Sequence, residues 1–219
     1  MDFYEEWENC VQNQLNDNYY INSFLYHSID SAKPLEKSSK NRMDNIIEFL
    51  LSYDKKKIIS KIDFKHEKII TPRDVIQFSS FNKATSEITH VLKYENDGLT
   101  FEELGYLLNS APNKSAAIKY GENHAKTARI FGLVNFSNTR PIIVTNTSLG
   151  NSFPLLSEDK QKKLLSILSL RDPLVKCYIS KLKYVDVSLD DLLCCLSKTT
   201  FERRKNNANT LILLALFDV

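Results

Sequence analysis

Two hexapeptides, Leu99-Thr100-Phe101-Glu102-Glu103-Leu104 and Val187-Ser188-Leu189-Asp190-Asp191-Leu192, follow one pattern: an apolar residue, a hydroxyl, an apolar residue, two acids and a leucine. A Ser or Thr followed three residues later by an acid is a capping box, in which each side chain satisfies a first-turn backbone N–H. Each hexapeptide therefore predicts the start of a short helix. Each is followed by a turn, Asn109-Ser110-Ala111-Pro112-Asn113 in the first case and Ser197-Lys198 in the second. A longer helix then runs over 115–131, ending at Gly132, and over 200–217. An approximate duplication of this kind restricts the fold more than any other feature of the chain.

The surroundings extend the pattern. After the first copy, Leu133-Val134-Asn135-Phe136 and Pro141-Ile142-Ile143-Val144-Thr145 read as two short strands around a turn at Ser137–Arg140. Before it, Ala84, Ile88, Val91 and Leu92 form an apolar helical stripe, stopped by Asn96-Asp97-Gly98. Between the copies, Leu164, Leu165 and Leu168, then Leu174, Tyr178, Ile179 and Leu182, predict two helices parted by Arg171-Asp172-Pro173. Nearer the start, Phe3, Trp7, Val11 and Leu15 recur at helical spacing, and Ile46, Ile47, Leu50 and Leu51 mark a helix over 43–53. Lys57 to Phe64 alternates as a strand would, with Lys68-Ile69-Ile70 as a pairing partner, and Thr71-Pro72-Arg73-Asp74 opens a further helix. The expected architecture is mainly α with small β elements (α+β). An N-terminal α+β segment, residues 1–82, precedes two tandem helix-turn-helix modules of the winged-helix type, 83–156 and 157–219.

Composition excludes several classes. With 219 residues, 42% of them hydrophobic and 26% charged, the chain has ordinary globular usage. Five Gly and six Pro argue against linker-rich or turn-dense all-β designs. No run approaches the roughly 18 apolar residues of a membrane span, and the acidic Met1–Glu6 lacks the basic and apolar regions of a signal peptide. A cytoplasmic protein with no membrane partner is expected. Cys10, Cys177, Cys194 and Cys195 lack zinc-ligand spacing and read as buried packing thiols. No phosphate loop, dinucleotide fingerprint or nucleophile elbow is present, and His27, His66, His90 and His124 are scattered. His124 is expected as a surface or nucleic-acid-facing side chain and not as a metal ligand.

Charge is distributed unevenly. Residues 1–36 hold seven acids and one base, whereas residues 111–140 hold five bases, Lys114, Lys119, Lys126, Arg129 and Arg140, and one acid, Glu122. A basic region of this kind is matched to a polyanion. In a helix-turn-helix the first helix braces the second, which enters the major groove of DNA, and a strand–turn–strand hairpin lies along the backbone. The exposed face of the first long helix is expected to carry Lys114, Ser115, Lys119, Asn123, Lys126 and Arg129, with Arg140 on the hairpin. That of the second is expected to carry Lys198, Thr199, Arg203, Arg204, Asn206 and Asn207. Asn reads adenine bidentately, while Lys and Arg read guanine or hold phosphates. The expected function is sequence-specific binding of double-stranded DNA.

The runs Lys119-Tyr120-Gly121-Glu122-Asn123-His124-Ala125-Lys126-Thr127-Ala128-Arg129-Ile130-Phe131-Gly132-Leu133-Val134 and Thr200-Phe201-Glu202-Arg203-Arg204-Lys205-Asn206-Asn207-Ala208-Asn209-Thr210-Leu211 resemble the tandem winged helices of bacterial Type II restriction-modification systems. The resemblance covers residues 83–219. It implies the target-recognition part of a restriction endonuclease or related defence system, with cleavage supplied by a separate nuclease domain or subunit, and a nuclease or methyltransferase subunit as partner. The chain departs from that group in lacking a Trp late in the second long helix, where Leu211 to Leu216 is aliphatic or Ala. The alternative is a winged-helix transcriptional regulator, and a third reading is a protein–protein adaptor.

A nuclease of the restriction type needs an acid and then an acid two residues before a Lys, to hold Mg²⁺ and a water. Asp54 with Asp63-Phe64-Lys65 has that spacing, but the stretch from Arg42 to Phe81 is too short for a nuclease core. No catalytic activity is expected of this chain alone, and no cofactor, with Mg²⁺ only where a nuclease site is present or supplied by a partner. Glu158-Asp159-Lys160 has similar spacing but reads as the acidic start of a helix. Finally, the second long helix reaches Phe217 with no hairpin after it, so Leu211, Ile212, Leu214, Leu216 and Phe217 need cover. The N-terminal segment is the favoured source, another chain the alternative.

Overall fold

The computed structural model describes residues 39–52, 54–62, 70–109, 111–183, 185–194 and 196–217. The expected helix around Phe3–Leu15, the Asp63 and Lys65 positions and the Lys68-Ile69 part of the second expected strand lie outside them. The described chain is mainly helical, with a small three-stranded sheet. It divides into two compact units: among the described residues, one gathers 39–44 and 77–161, the other 45–76 together with 162–217.

The first of these contains the sheet. Its entry is one turn of π-helix, Lys83–Glu87, running into α3, Ile88–Leu92. (Helices α1, Ser39–Ser52, and α2, Lys55–Lys61, precede it in the chain.) Gly98 adopts φ 73°, the left-handed conformation in which a side chain is strained, and turns the chain into β1, Leu99–Thr100. Thr100 then opens α4, Phe101–Leu108, with the expected capping box complete: Thr100 Oγ1 accepts from Glu103 N, and the Glu103 carboxylate accepts from Thr100 N at 2.8 Å. Thr100 N and Thr100 Oγ1, each donating to the carboxylate at 2.8 Å, hold the Glu103 carboxyl below its ordinary pKa. Lys83 Nζ donates to Leu108 O at 2.6 Å and so occupies a terminal carbonyl of α4.

Helix α5, Lys114–Ile130, starts at Asn113, whose side chain accepts from Ala116 N at 2.9 Å. It crosses α4 closely at glycines. A methyl on Gly105 would overlap the Ala117 carbonyl, and one on Gly121 would overlap the Phe101 carbonyl. Strands β2, Val134–Phe136, and β3, Ile143–Asn146, follow as an antiparallel hairpin. β1 pairs with the other edge of β3, placing Leu99 opposite Val144, so the sheet order is β1-β3-β2. Ile88, Leu104, Ala117, Ala125, Ala128, Phe131, Leu133, Val144 and Phe153 are buried beneath these elements. Each large side chain among them contributes about 1.5–3 kcal/mol by leaving water.

The regular elements of the other unit, among its described residues, are all helices. Lys57–Phe64 was expected as a strand, but α2 occupies Lys55–Lys61. Asp54 caps it by accepting from Lys56 N at 2.9 Å, and Ile58 and Ile62, one turn apart, are buried. Ser60, midway between them, is exposed, so burial follows the helical period and not the strand alternation. Thr71–Asp74 is likewise a turn, closed by Asp74 Oδ2 accepting from Thr71 N and Oγ1, and not a helix start. Helix α7, Glu158–Ser169, begins with the expected acids Glu158 and Asp159 (α6, Ser148–Ser152, precedes it). Then come α8, Pro173–Leu182, α9, Leu189–Leu193, and α10, Lys198–Leu216. The Ser188–Asp191 capping box opens α9 as expected.

One core joins Ile70, Val75, Leu174, Val187, Leu192, Leu193, Leu196 and Ala208. Leu211, Ile212 and Leu214 at the end of α10 are buried. There Ser166 Oγ donates to Leu214 O at 2.7 Å, and Lys55 Nζ donates to Phe217 O at 3.1 Å. Lys183 Nζ donates to Ser60 O at 2.8 Å, a second tie between α2 and the later helices. No strand occurs among the described residues of this unit. Cys194 is exposed, contrary to the expectation of a buried thiol, because the short α9 presents that position to solvent; Cys177 is half-buried.

Asp172 caps α8 from inside the core. Its Oδ1 accepts from Leu174 N at 2.9 Å and Val175 N at 3.1 Å, while its Oδ2 is buried without a hydrogen-bond partner. Burial pushes its pKa from 3.8 up to about 7; the two backbone donors and Lys176 pull the other way, and Asp74 adds to the rise. Because the folded-state pKa is the higher one, the folded protein binds the proton more tightly, and stability falls as pH rises from about 4 to about 7. Asp172→Asn keeps a capping oxygen and removes the titration. Across that window the parent should lose stability relative to the variant by up to about 4 kcal/mol in chemical denaturation. Parallel pH profiles for the two proteins would contradict this.

Candidate nucleic-acid interface

The outward side of α5 is a stripe at helical spacing: Ser115, Ile118, Lys119, Glu122, Lys126 and Arg129. Its inward side holds Ala117, Gly121, His124, Ala125, Thr127 and Ala128. Small residues on the inward face let α4 approach, and this fixes which residues of α5 meet solvent. Lys119, Lys126 and Arg129 are exposed as expected, as is Lys114 at the helix start, and Arg140 is exposed on the loop between β2 and β3. Asn123 is half-buried on the flank of the stripe.

The cations are not equivalent. Lys114 Nζ lies 2.8 Å from Glu102 of α4, whose hydrogen bond and charge raise the ammonium's pKa. Lys126 pairs with Glu122 at 2.5 Å, one turn earlier on the same helix. The Arg129 guanidinium lies over the Phe136 ring, 4.8 Å from its centroid, and Phe136 meets the edge of Phe101 at 5.4 Å. These contacts hold the first strand of the hairpin against α4 and the last turn of α5. The hairpin loop is tied by Ile143 N donating to Ser137 Oγ at 2.8 Å, beside the Arg140 position.

His124 does not face outward. It is buried on the inward side, stacked on Tyr120, with Nδ1 2.8 Å from Tyr120 O and Nε2 3.4 Å from Ser79. Desolvation lowers its pKa, favouring the neutral ring. Its role is to anchor the segment before the π-turn to α5.

In the helical unit, Lys198, Thr199, Arg203 and Asn206 are exposed on α10. Arg204 and Asn207 are not on that face. The Arg204 guanidinium donates to Pro72 O and, at 2.9 Å, to Val75 O, and Asn207 is buried. Both point toward the core because this side of α10 is the one that packs. Asp54, the first of the acids considered for catalysis, is a helix cap. Among the described residues no group of three His, Cys, Asp or Glu is placed to hold a metal ion, and no helix is long and apolar enough to cross a membrane.

Sequence reasoning passed over Glu102, Glu122 and Ile118 as parts of the face. The Glu122–Lys126 spacing could have shown the ion pair, whereas Glu102–Lys114 depends on the crossing of two helices. Comparison of the chain with protein-family models, curated proteins and solved structures finds no match.

Proposed function

We propose that the chain binds double-stranded DNA sequence-specifically, with α5 as the recognition helix of a winged helix whose wing is the β2–β3 hairpin. The observation that carries this reading is the order helix, strand, helix, helix, strand, strand with sheet order β1-β3-β2, combined with a cationic stripe on the second helix of the α4–α5 pair. The stripe supplies both kinds of contact that such a helix needs. Lys119, Lys126 and Arg140 are suited to phosphates, and Ser115 and Lys119, in the first half of α5, are suited to base edges. Helices α9 and α10 repeat the short-capped-then-long arrangement, and Lys198, Thr199, Arg203 and Asn206 are the corresponding second set.

The resemblance of the two long helices to restriction-system modules supports a place as the target-recognition part of such a system, with strand cleavage belonging to a partner. Selection from a pool of random duplexes tests the reading. A single enriched motif is the expected result. Recovery of unselected sequence, with no duplex retained above background, would contradict it.

A further inference from the structure

Ile118 is the one apolar member of the outward stripe of α5, and it is 36% exposed. It sits in the first half of the helix, one turn after Lys114 and one turn before Glu122, beside Ser115 and Lys119. The core does not require it there, because Ala117, Gly121, Ala125 and Ala128 fill the inward face. Resting on the proposal that α5 enters the major groove, we infer that Ile118 is a specificity-determining residue that packs on the C5 methyl of a pyrimidine.

The N-terminal half of a recognition helix is the part that reaches base edges. The groove floor is polar except for the pyrimidine C5 methyl, carried by thymine and, at the same ring position, by 5-methylcytosine. An isoleucine flanked by cations that hold the backbone is brought down onto that floor, where polar edges offer it nothing. A methyl gives it apolar surface to cover.

The test uses the full chain and the duplex enriched by selection. Each thymine in turn is replaced by deoxyuridine, and each cytosine in turn by 5-methylcytosine, and affinity is read by fluorescence anisotropy. If the methyl belongs to thymine, one deoxyuridine substitution weakens the parent about fourfold, the worth of one buried carbon. If it belongs to 5-methylcytosine, one such substitution tightens the parent by a similar factor. In either case Ile118→Ala, with an unchanged melting temperature, binds the methylated and unmethylated forms equally. A parent indifferent to every substitution, or a variant as sensitive as the parent, overturns the inference and leaves salt-dependent duplex binding intact. Absence of any duplex binding overturns the proposed function itself.

Discussion

Gly121→Ala should destabilise the sheet-containing unit by about 3 kcal/mol or more, although alanine is the better helix former by about 1 kcal/mol. The added methyl would meet the Phe101 carbonyl and the Gly105 backbone, groups that cannot move without opening the α4–α5 crossing. Gly105→Ala should do the same from the other helix, against Ala117. A fall in melting temperature of roughly 10 °C or more is expected for each in calorimetry. Because the crossing fixes which face of α5 is outward, the damage should extend to DNA affinity. Variants as stable as the parent would mean that the two helices do not meet at these glycines.

The second large effect is electrostatic. Lys119→Glu, Lys126→Glu and Arg140→Glu together replace three exposed cations of the face with anions. Affinity for any duplex should drop on the order of a hundredfold or more, through lost phosphate contacts and new repulsion. Folding should change little, since exposed substitutions are worth about 0.5 kcal/mol or less and the Lys126–Glu122 pair a similar amount. A reversal on Lys198 and Arg203 provides the same test for α10. Retained affinity in the first variant would remove α5 and the hairpin from the interface.

Local chemistry accounts for what was legible in the sequence. Both capping boxes join residues only three apart, and both helices start where Thr100 and Ser188 stand. The hairpin and the break at Arg171-Asp172-Pro173 were equally local. Long-range partners account for the rest. β1 is two residues long and exists because Leu99 and Thr100 pair with Val144 and Ile143. Lys57-Ile58-Ile59 is a short apolar run that fits either period, and exposure of Ser60 between the buried Ile58 and Ile62 decides for the helix. Arg204, Asn207 and His124 have polar side chains that a single sequence places outside. They are held inward by Val75 O, by the packed side of α10, and by Tyr120 with Ser79, none of which a helical wheel reveals.

The most direct measurement is the affinity of the purified full chain for a fluorescent duplex as a function of salt. Neutralising phosphates releases counterions, so log affinity should fall linearly with log salt, with a slope of about −0.9 for each phosphate contacted. A slope of roughly −3 or steeper is expected, matching at least the Lys119, Lys126 and Arg140 contacts, and a slope shallower by about three when those residues are changed to Ala. No binding, or an affinity that salt does not change, would contradict it.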